Sequence, residues 1–360
     1  MKNRSNVIVT GVGGIIGEGI IKCLRMANRS KKRTSHHKYY IIGVDSSPLA
    51  AGLYFVDIGL IIPNANDNDY VDSLTSAIKE HTVSAVYIGT DQELDVVSNL
   101  TGKIEKRTGA KILICSKEVI KISRDKWKTY LFLKRKKLPY VESSLPEEAS
   151  DLVERFGFPL VVKPREGYGS VQFNIVRDRY ELNNAVENIE SQGWNPIIQQ
   201  YIEGNDNEYT TGVLTDFRNN KIISSISIKK FLKSGQTYKG IIDDFPEARR
   251  VSETVATNLI AKGPINVQSK ISGGSHKIFE INGRISATCP MRAAAGINEP
   301  DLLYRNVILS EDLEMTSYEK LVAMRYWNEV YVQKRISKTV ASTGIVPHGI
   351  GGKVFSLRDS

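Results

Sequence analysis

The stretch Val7 to Thr10 is short and apolar, and it runs directly into the glycine turn Gly11-Val12-Gly13-Gly14-Ile15-Ile16-Gly17 and then a helix-forming segment, Glu18 to Met26. A strand that ends in a glycine turn and reverses into a helix opens a parallel sheet, because parallel neighbours are reached only by a crossover. The alternation continues. Tyr40 to Val44 ends at Asp45, Phe55 to Ile62 contains a third apolar run, and Ala85 to Ile88 is closed by Gly89-Thr90-Asp91. Helical stretches fall at Tyr70 to Glu80 and Glu93 to Thr101. A doubly wound parallel α/β sheet is expected over about residues 1–117, with the loops at Gly11–Gly17, Asp45 and Thr90–Glu93 around one crevice beyond the strand ends.

The pattern changes after Ser116. A charged helix is expected from about Lys117 to Lys137, leading through Leu138-Pro139 into a connection rich in Glu and Ser. From Pro159 onward the pattern is α+β: strands at Leu160–Lys163, Val171–Val176, Ile197–Ile202, Tyr209–Leu214 and Ile222–Ile228, a helix at Val251–Lys262, and strands at Ile265–Ile271 and Lys277–Ile281 flanking Gly273-Gly274. Residues 334–360 show little periodicity and read as a flexible or docking tail.

With 41% hydrophobic and 25% charged residues the chain is globular and large enough for one large core or two to three smaller ones. Its apolar runs fall far short of the roughly 20 residues that cross a bilayer, and the N-terminus lacks the apolar core of a secretory signal. A cytoplasmic protein with no membrane contact is expected. Cys23, Cys115 and Cys289 are odd in number and widely spaced, which argues against a disulfide framework or a zinc site. The net charge of +9 gathers in Lys22–Lys38 and Arg124–Lys137. Solvated faces account for most such runs, and no helix-turn-helix, zinc-finger or aromatic-basic pattern points to nucleic acid.

Three constellations carry chemistry. The glycine turn with Asp45 has the context of a dinucleotide site, although Ile16 stands where the third glycine belongs. The segment Lys163-Pro164-Arg165-Glu166-Gly167-Tyr168-Gly169-Ser170 puts a lysine at a strand end, where it can reach phosphate oxygens, beside a small-residue loop whose amides can cover the same phosphates. Lastly, Asn266-Val267-Gln268 precedes Glu280-Ile281-Asn282-Gly283-Arg284. Side chains at i and i+2 share a strand face, so two neighbouring strands would present oxygen donors together, a set suited to Mg²⁺ held between protein and phosphates.

The order of these pieces, with Asp125-Lys126 upstream and Gln200-Tyr201-Ile202 and Glu208 between them, resembles the ATP-grasp superfamily. In particular it is similar to one synthetase half of the carbamoyl-phosphate synthetase large subunit, over residues 1 to about 330. The resemblance implies a Rossmann-like pre-ATP-grasp domain (1–117) that usually helps bind the acyl substrate, followed by an ATP-grasp fold with a small lid (118–200) and a larger base (201–333). It also implies roles. Lys126 and Lys163 would contact ATP phosphates under the loop containing Gly167, Gly169 and Ser170. Gln200, Tyr201 and Ile202 would meet the adenine, and Glu208 the ribose. Gln268, Glu280 and Asn282 would coordinate Mg²⁺ (or Mn²⁺), and Arg284 would act with Lys163 on the transferring phosphoryl group. Gly283 replaces a common proline, and Ile285–Arg292 departs from the Arg-Ser-rich run of true carbamoyl-phosphate synthetases.

The expected function is therefore an ATP-dependent carboxylate–amine ligase, acting on small-molecule acids and amines, with a homodimer compatible with it. The alternatives are an NAD(P)-dependent oxidoreductase built on the glycine turn and a non-catalytic nucleotide-binding protein. Ile285–Asn298, including Arg292, should border the substrate pocket. Asp91 and Glu93 are candidates either to pair with the amine or to cap a helix. His276, in the glycine-rich hairpin, reads as a surface turn residue.

Overall fold

The structure is a computed structural model that describes residues 4–30, 37–167, 172–204, 207–326 and 328–347. The N-terminal unit contains β1 (Arg4–Val9), α1 (Ile15–Arg29), β2 (Lys38–Asp45), β3 (Ile58–Ile61), α2 (Tyr70–Glu80), β4 (Ala85–Tyr87), α3 (Asp91–Thr108) and β5 (Lys111–Ile112). Its five strands are parallel in the order β3-β2-β1-β4-β5. This is the doubly wound sheet that the strand–helix alternation implies. Period-2 alternation along β1 splits its side chains between two cores: Val7 and Val9 enter one, Ile8 the other.

The charged helix expected over 117–137 is broken in two, α4 (Lys117–Ser123) and α5 (Lys126–Arg135). Asp125 causes the break by capping α5, its carboxylate accepting from the Trp127 and Lys128 amides at 2.9 and 3.3 Å. A small four-stranded sheet follows, built from β6 (Ser143–Ser144), β7 (Leu160–Pro164), β8 (Asn174–Val176) and β9 (Pro196–Gln200) in the order β6-β9-β7-β8. It is covered by α6 (Ala149–Phe156), which lies in the stretch expected to be a connection, and by α7 (Arg179–Ser191), which the strand-rich reading overlooked. Leu152, Leu160, Val162, Leu182, Ile189 and Ile198 form its own separate core.

The larger sheet has six strands, β10 (Glu208–Thr215), β11 (Ile222–Lys233), β12 (Gln236–Ile242), β13 (Pro264–Ser272), β14 (Ser275–Asn282) and β15 (Leu321–Met324), ordered β14-β13-β10-β11-β12-β15. Helices α8 (Pro246–Leu259), α9 (Cys289–Ala294) and α10 (Glu299–Val307) complete it. Its two faces join the two cores of the N-terminal sheet, Leu214 belonging to the one that holds Val7 and Val9, and Val213 to the one that holds Ile8. The N-terminal unit and the larger sheet thus share their interiors, while the small sheet does not.

The stretch read as an unpatterned tail contains α11 (Lys334–Thr343), whose Ile336 and Val340 are buried in the first core. Beyond it Val346 donates to the Gly59 carbonyl and Ile61 donates to that of Gly344, so the segment covers the β3 edge. Cys23, Cys115 and Cys289 are free and buried. Among the described residues no helix is long and apolar enough to cross a membrane.

Candidate active site

Strand register assembles the acid-amide set. Gln268 on β13 lies opposite Glu280 on β14, and Asn266 opposite Asn282. The pairing slips beyond this point, because Gln268 meets Glu280 while Ser269 meets Ile278, leaving Phe279 as an extra residue. Such a bulge re-aims the side chains beside it. Glu280 Oε1 accepts from Gln268 Nε2 at 2.9 Å and from Asn282 Nδ2 at 3.0 Å, so the two side-chain amides converge on one carboxylate oxygen. Asn266 is instead held within the sheet by the Thr210 hydroxyl at 2.8 Å.

Lys163, at the end of β7 in the small sheet, reaches across to this cluster, its Nζ 5.3 Å from the centre of the Phe279 ring on β14. Burial and the neighbouring Lys126 depress its ammonium to about 7, against the pull of Glu280 and Glu208. Burial alone would raise the Glu280 carboxyl, but Lys126 and Lys163, the Asn282 amide and Lys230 together hold it below its ordinary value. Lys126, the first residue of α5, is buried and donates to the carbonyls of Gly167 at 2.8 Å and Arg165 at 3.2 Å. Asp125 fixes the same loop through Arg165, at 2.7 and 3.2 Å. Gly169 and Ser170 lie outside the described residues.

Lys230 is a site residue the motif reading missed. It sits on β11, buried, with Nζ 2.6 Å from Glu208 Oε1 and hydrogen-bonded to Gln268 Oε1, and it flanks the Phe279 ring at 5.9 Å. The signal was present, since a lysine in phase with Ile226 and Ile228 falls on the buried face of a strand. Lys270 links Glu208, at 3.8 Å, to the Ile202 carbonyl, at 3.4 Å. Gln200, Tyr201 and Ile202 form the crossing from the small sheet to the larger one, and the Gln200 amide donates to Glu142. Arg284 leaves the end of β14 and is clamped by Asp91 of the N-terminal unit, Nε to Oδ1 and Nη2 to Oδ2, both at 2.9 Å. Lys126, Lys163, Glu208, Gln268, Glu280, Asn282 and Arg284 are thereby brought together. A cavity of about 40 Å³ lies between Asp91, Lys126, Gly167, Glu280, Asn282 and Arg284.

Other candidates are corrected. Glu93 is buried and accepts from the Thr10, Tyr70 and Thr90 hydroxyls, which occupy it structurally; burial raises its carboxyl above the ordinary value. Arg292 is fully buried and paired with Glu299 at 2.8 Å, so it does not border a substrate pocket. His276 is a core residue, bonded to the Ser269 hydroxyl at 3.0 Å and edge-on to Tyr209.

The glycine turn serves packing. A Cβ on Gly17 would lie 2.3 Å from the Gly11 carbonyl oxygen, so α1 approaches β1 as closely as it does only with glycine there. The Gly13 amide, which a dinucleotide pyrophosphate would need, already donates to Asp45 Oδ2 at 2.8 Å. The adjoining cleft of about 380 Å³, larger than the cavity at Glu280, is lined by Asp45, Ser47, Asn64, Gln92 and Glu93 among others and by no lysine or arginine. Among the described residues no cationic side chain lines it to pair with a pyrophosphate.

Known proteins fit this architecture. The family model of the PylC-like N-terminal domain matches residues 20–113, and that of the ATP-grasp domain matches residues 123–288. The carbamoyl phosphate synthase large chain of Clostridium acetobutylicum is 25% identical over 237 residues, covering 62% of this chain and 22% of that protein. This chain thus matches about a fifth of that relative's length. N5-carboxyaminoimidazole synthetase of Staphylococcus aureus, solved with ADP, superimposes with a TM-score of 0.68 at 16% identity, over 91% of this chain and 83% of that one. L-amino acid ligase of Bacillus licheniformis gives 0.59 at 18% identity, over 85% and 74%. At these identities the structural likeness is one of fold. Residues 123–288, which span both the lysine-tipped small sheet and the acid-amide strands, are an ATP-grasp domain, and they follow a PylC-like N-terminal domain.

Proposed function

We propose that the chain is an ATP-dependent carboxylate–amine ligase. A substrate carboxylate oxygen attacks the γ-phosphorus of ATP and ADP leaves; an amine then attacks the acyl carbon of the acyl phosphate, giving an amide and inorganic phosphate. The observation that carries this reading is the meeting of Lys163, from the small sheet, with Gln268, Glu280 and Asn282 from the larger one.

Each residue has a role in that reading. Lys126, Lys163 and Lys230 hold phosphate oxygens, joined in that role by Gly167, Gly169 and Ser170. The main chain of Gln200–Ile202 meets the adenine edge and Glu208 the ribose hydroxyls. Gln268, Glu280 and Asn282 are the donors for Mg²⁺, with Mn²⁺ as a substitute; an anionic carboxylate flanked by two amides suits a hard cation that shares its shell with phosphates. When bound, that ion supplies charge neutralisation between phosphate groups. Lysine and arginine outnumber carboxylates in the cluster, as a polyphosphate requires, and Arg284 steadies the charge of the group in flight.

An ADP-release screen across amino acids, amines and sugar acids, with mass spectrometry of the products, tests this. The expected result is ADP formation that requires one acid and one amine and yields their condensation product. A protein that binds no Mg-ATP, or that releases ADP in every mixture without forming an amide, refutes it.

A further inference from the structure

Arg284 spends most of its hydrogen-bonding capacity on the protein. Nε and one Nη2 hydrogen go to the two oxygens of Asp91, both at 2.9 Å; Nη2 also reaches Asn282 Oδ1 at 3.3 Å, and Nη1 donates to the Ile285 carbonyl at 3.3 Å. A guanidinium has five N–H groups, so one Nη1 hydrogen is without a partner among the described residues. A side-on, two-point clamp fixes both the plane of the group and the edge it leaves open. Asp91 comes from another unit of the chain, 193 residues away.

The mount for Asp91 is rigid. It is the first residue of α3, where the helix dipole favours a negative charge. Thr90 caps that helix through the Glu93 amide, and Glu93 ties the turn to Thr10 and Tyr70. Burial works against the Asp91 carboxylate, but Arg284, Arg124 and Lys126 hold it ionised below its ordinary range. Asp91 also lines the small cavity shared with Glu280, Asn282 and Lys126. The opposite side of the same turn, Thr90, Gln92 and Glu93, lines the N-terminal cleft.

We propose that Asp91 is a positioning residue for phosphoryl transfer, holding Arg284 so that its open Nη1 edge meets the transferred group, and making the N-terminal domain part of the catalytic unit. This rests on the ligase reading above. It predicts a defect confined to the transferring phosphoryl group, whereas a simple strut between domains would affect nucleotide binding and stability without that selectivity.

The test compares binding of Mg-ADP alone with Mg-ADP plus aluminium fluoride, which mimics a phosphoryl group in transit, by calorimetry on the full chain. Asp91→Asn should bind Mg-ADP within about twofold of the unaltered protein but hold the aluminium fluoride complex tens-fold less tightly, below the roughly 10²–10³ lost with a whole charge-stabilising donor. Asp91→Glu should recover part of that loss. In an Arg284→Lys background, Asp91→Asn should add little, because the two act as one unit. Equal loss for Mg-ADP alone, no loss at all, or full additivity in the double variant overturns the inference. If Asp91→Asn does not fold, Asp91→Glu carries the same comparison, with a smaller selective loss expected. An unaltered protein that binds no Mg-ADP would remove the ligase reading itself.

Discussion

Lys163 should take up a proton when Mg-ATP binds. Its ammonium is buried beside Lys126 and Lys230, which depresses it to about 7 in the free protein. At pH 8 such a group is neutral in about 0.9 of molecules. A bound triphosphate would restore the lysine toward its ordinary value, so binding at pH 8 should consume about 0.9 of a proton, and at pH 6 about 0.1. The protonated form is the one that binds phosphate, so affinity should fall as pH rises above 7, by about 50-fold between pH 7 and pH 9.

The same shift acts on the free protein with a definite sign. Between about pH 7 and the ordinary lysine value, the unfolded chain keeps a proton that the folded chain releases, so stability from this group rises with pH across that window. The cost is fully present below 7, and the gain from pH 6 to pH 9 is roughly 2–3 kcal/mol. Calorimetry with a non-hydrolysable ATP analogue, in buffers of different ionisation enthalpy, measures the uptake directly. Lys126 is also depressed, first by burial, so the informative quantity is the difference between the unaltered protein and Lys163→Met. If Lys163→Met takes up as many protons as the unaltered chain at pH 8, or the unaltered chain takes up none, the placement of a depressed lysine against the phosphates is wrong.

Three further outcomes are expected. Glu280→Ala should cut ADP formation by a factor on the order of 10²–10³ while circular dichroism shows the fold intact; near-normal turnover would remove Glu280 from the metal set. Lys230→Met should weaken Mg-ATP binding about tenfold or more, the worth of a charged hydrogen bond, and an unchanged Kd would confine Lys230 to bridging Glu208 and Gln268. Gly212→Ala should destabilise the protein by about 3–5 kcal/mol, because its Cβ would lie 2.0 Å from Glu299 Oε1 and 2.7 Å from Arg292 Cζ, forcing apart a fully buried ion pair; an unshifted melting temperature would refute that packing.

Local chemistry determined much of this protein. Strand–turn–helix alternation is written in neighbouring residues, so the parallel sheet and the glycine turn of α1 could be read directly. The acid-amide set was legible for the same reason: Glu280 and Asn282 share a strand face by period 2, and a lysine at a strand end is a local pattern. Even the break at Asp125 carried its own signal, an aspartate two residues before the Trp127 amide it caps.

Only the tertiary structure decided the long-range partners. Sequence separation carries no information about which carboxylate meets which cation, so Asp91 could be read as an amine ligand until domain packing put it on Arg284, 193 residues away. Glu93 and Arg292 looked available until burial supplied three hydroxyls to one and Glu299 to the other. The β14 bulge that leaves Phe279 unpaired beside Glu280, and the covering of the β3 edge by the segment after α11, likewise depend on register between strands and on which edges remain open. Those choices are set by the free energy of the packed whole, not by any short window of the chain.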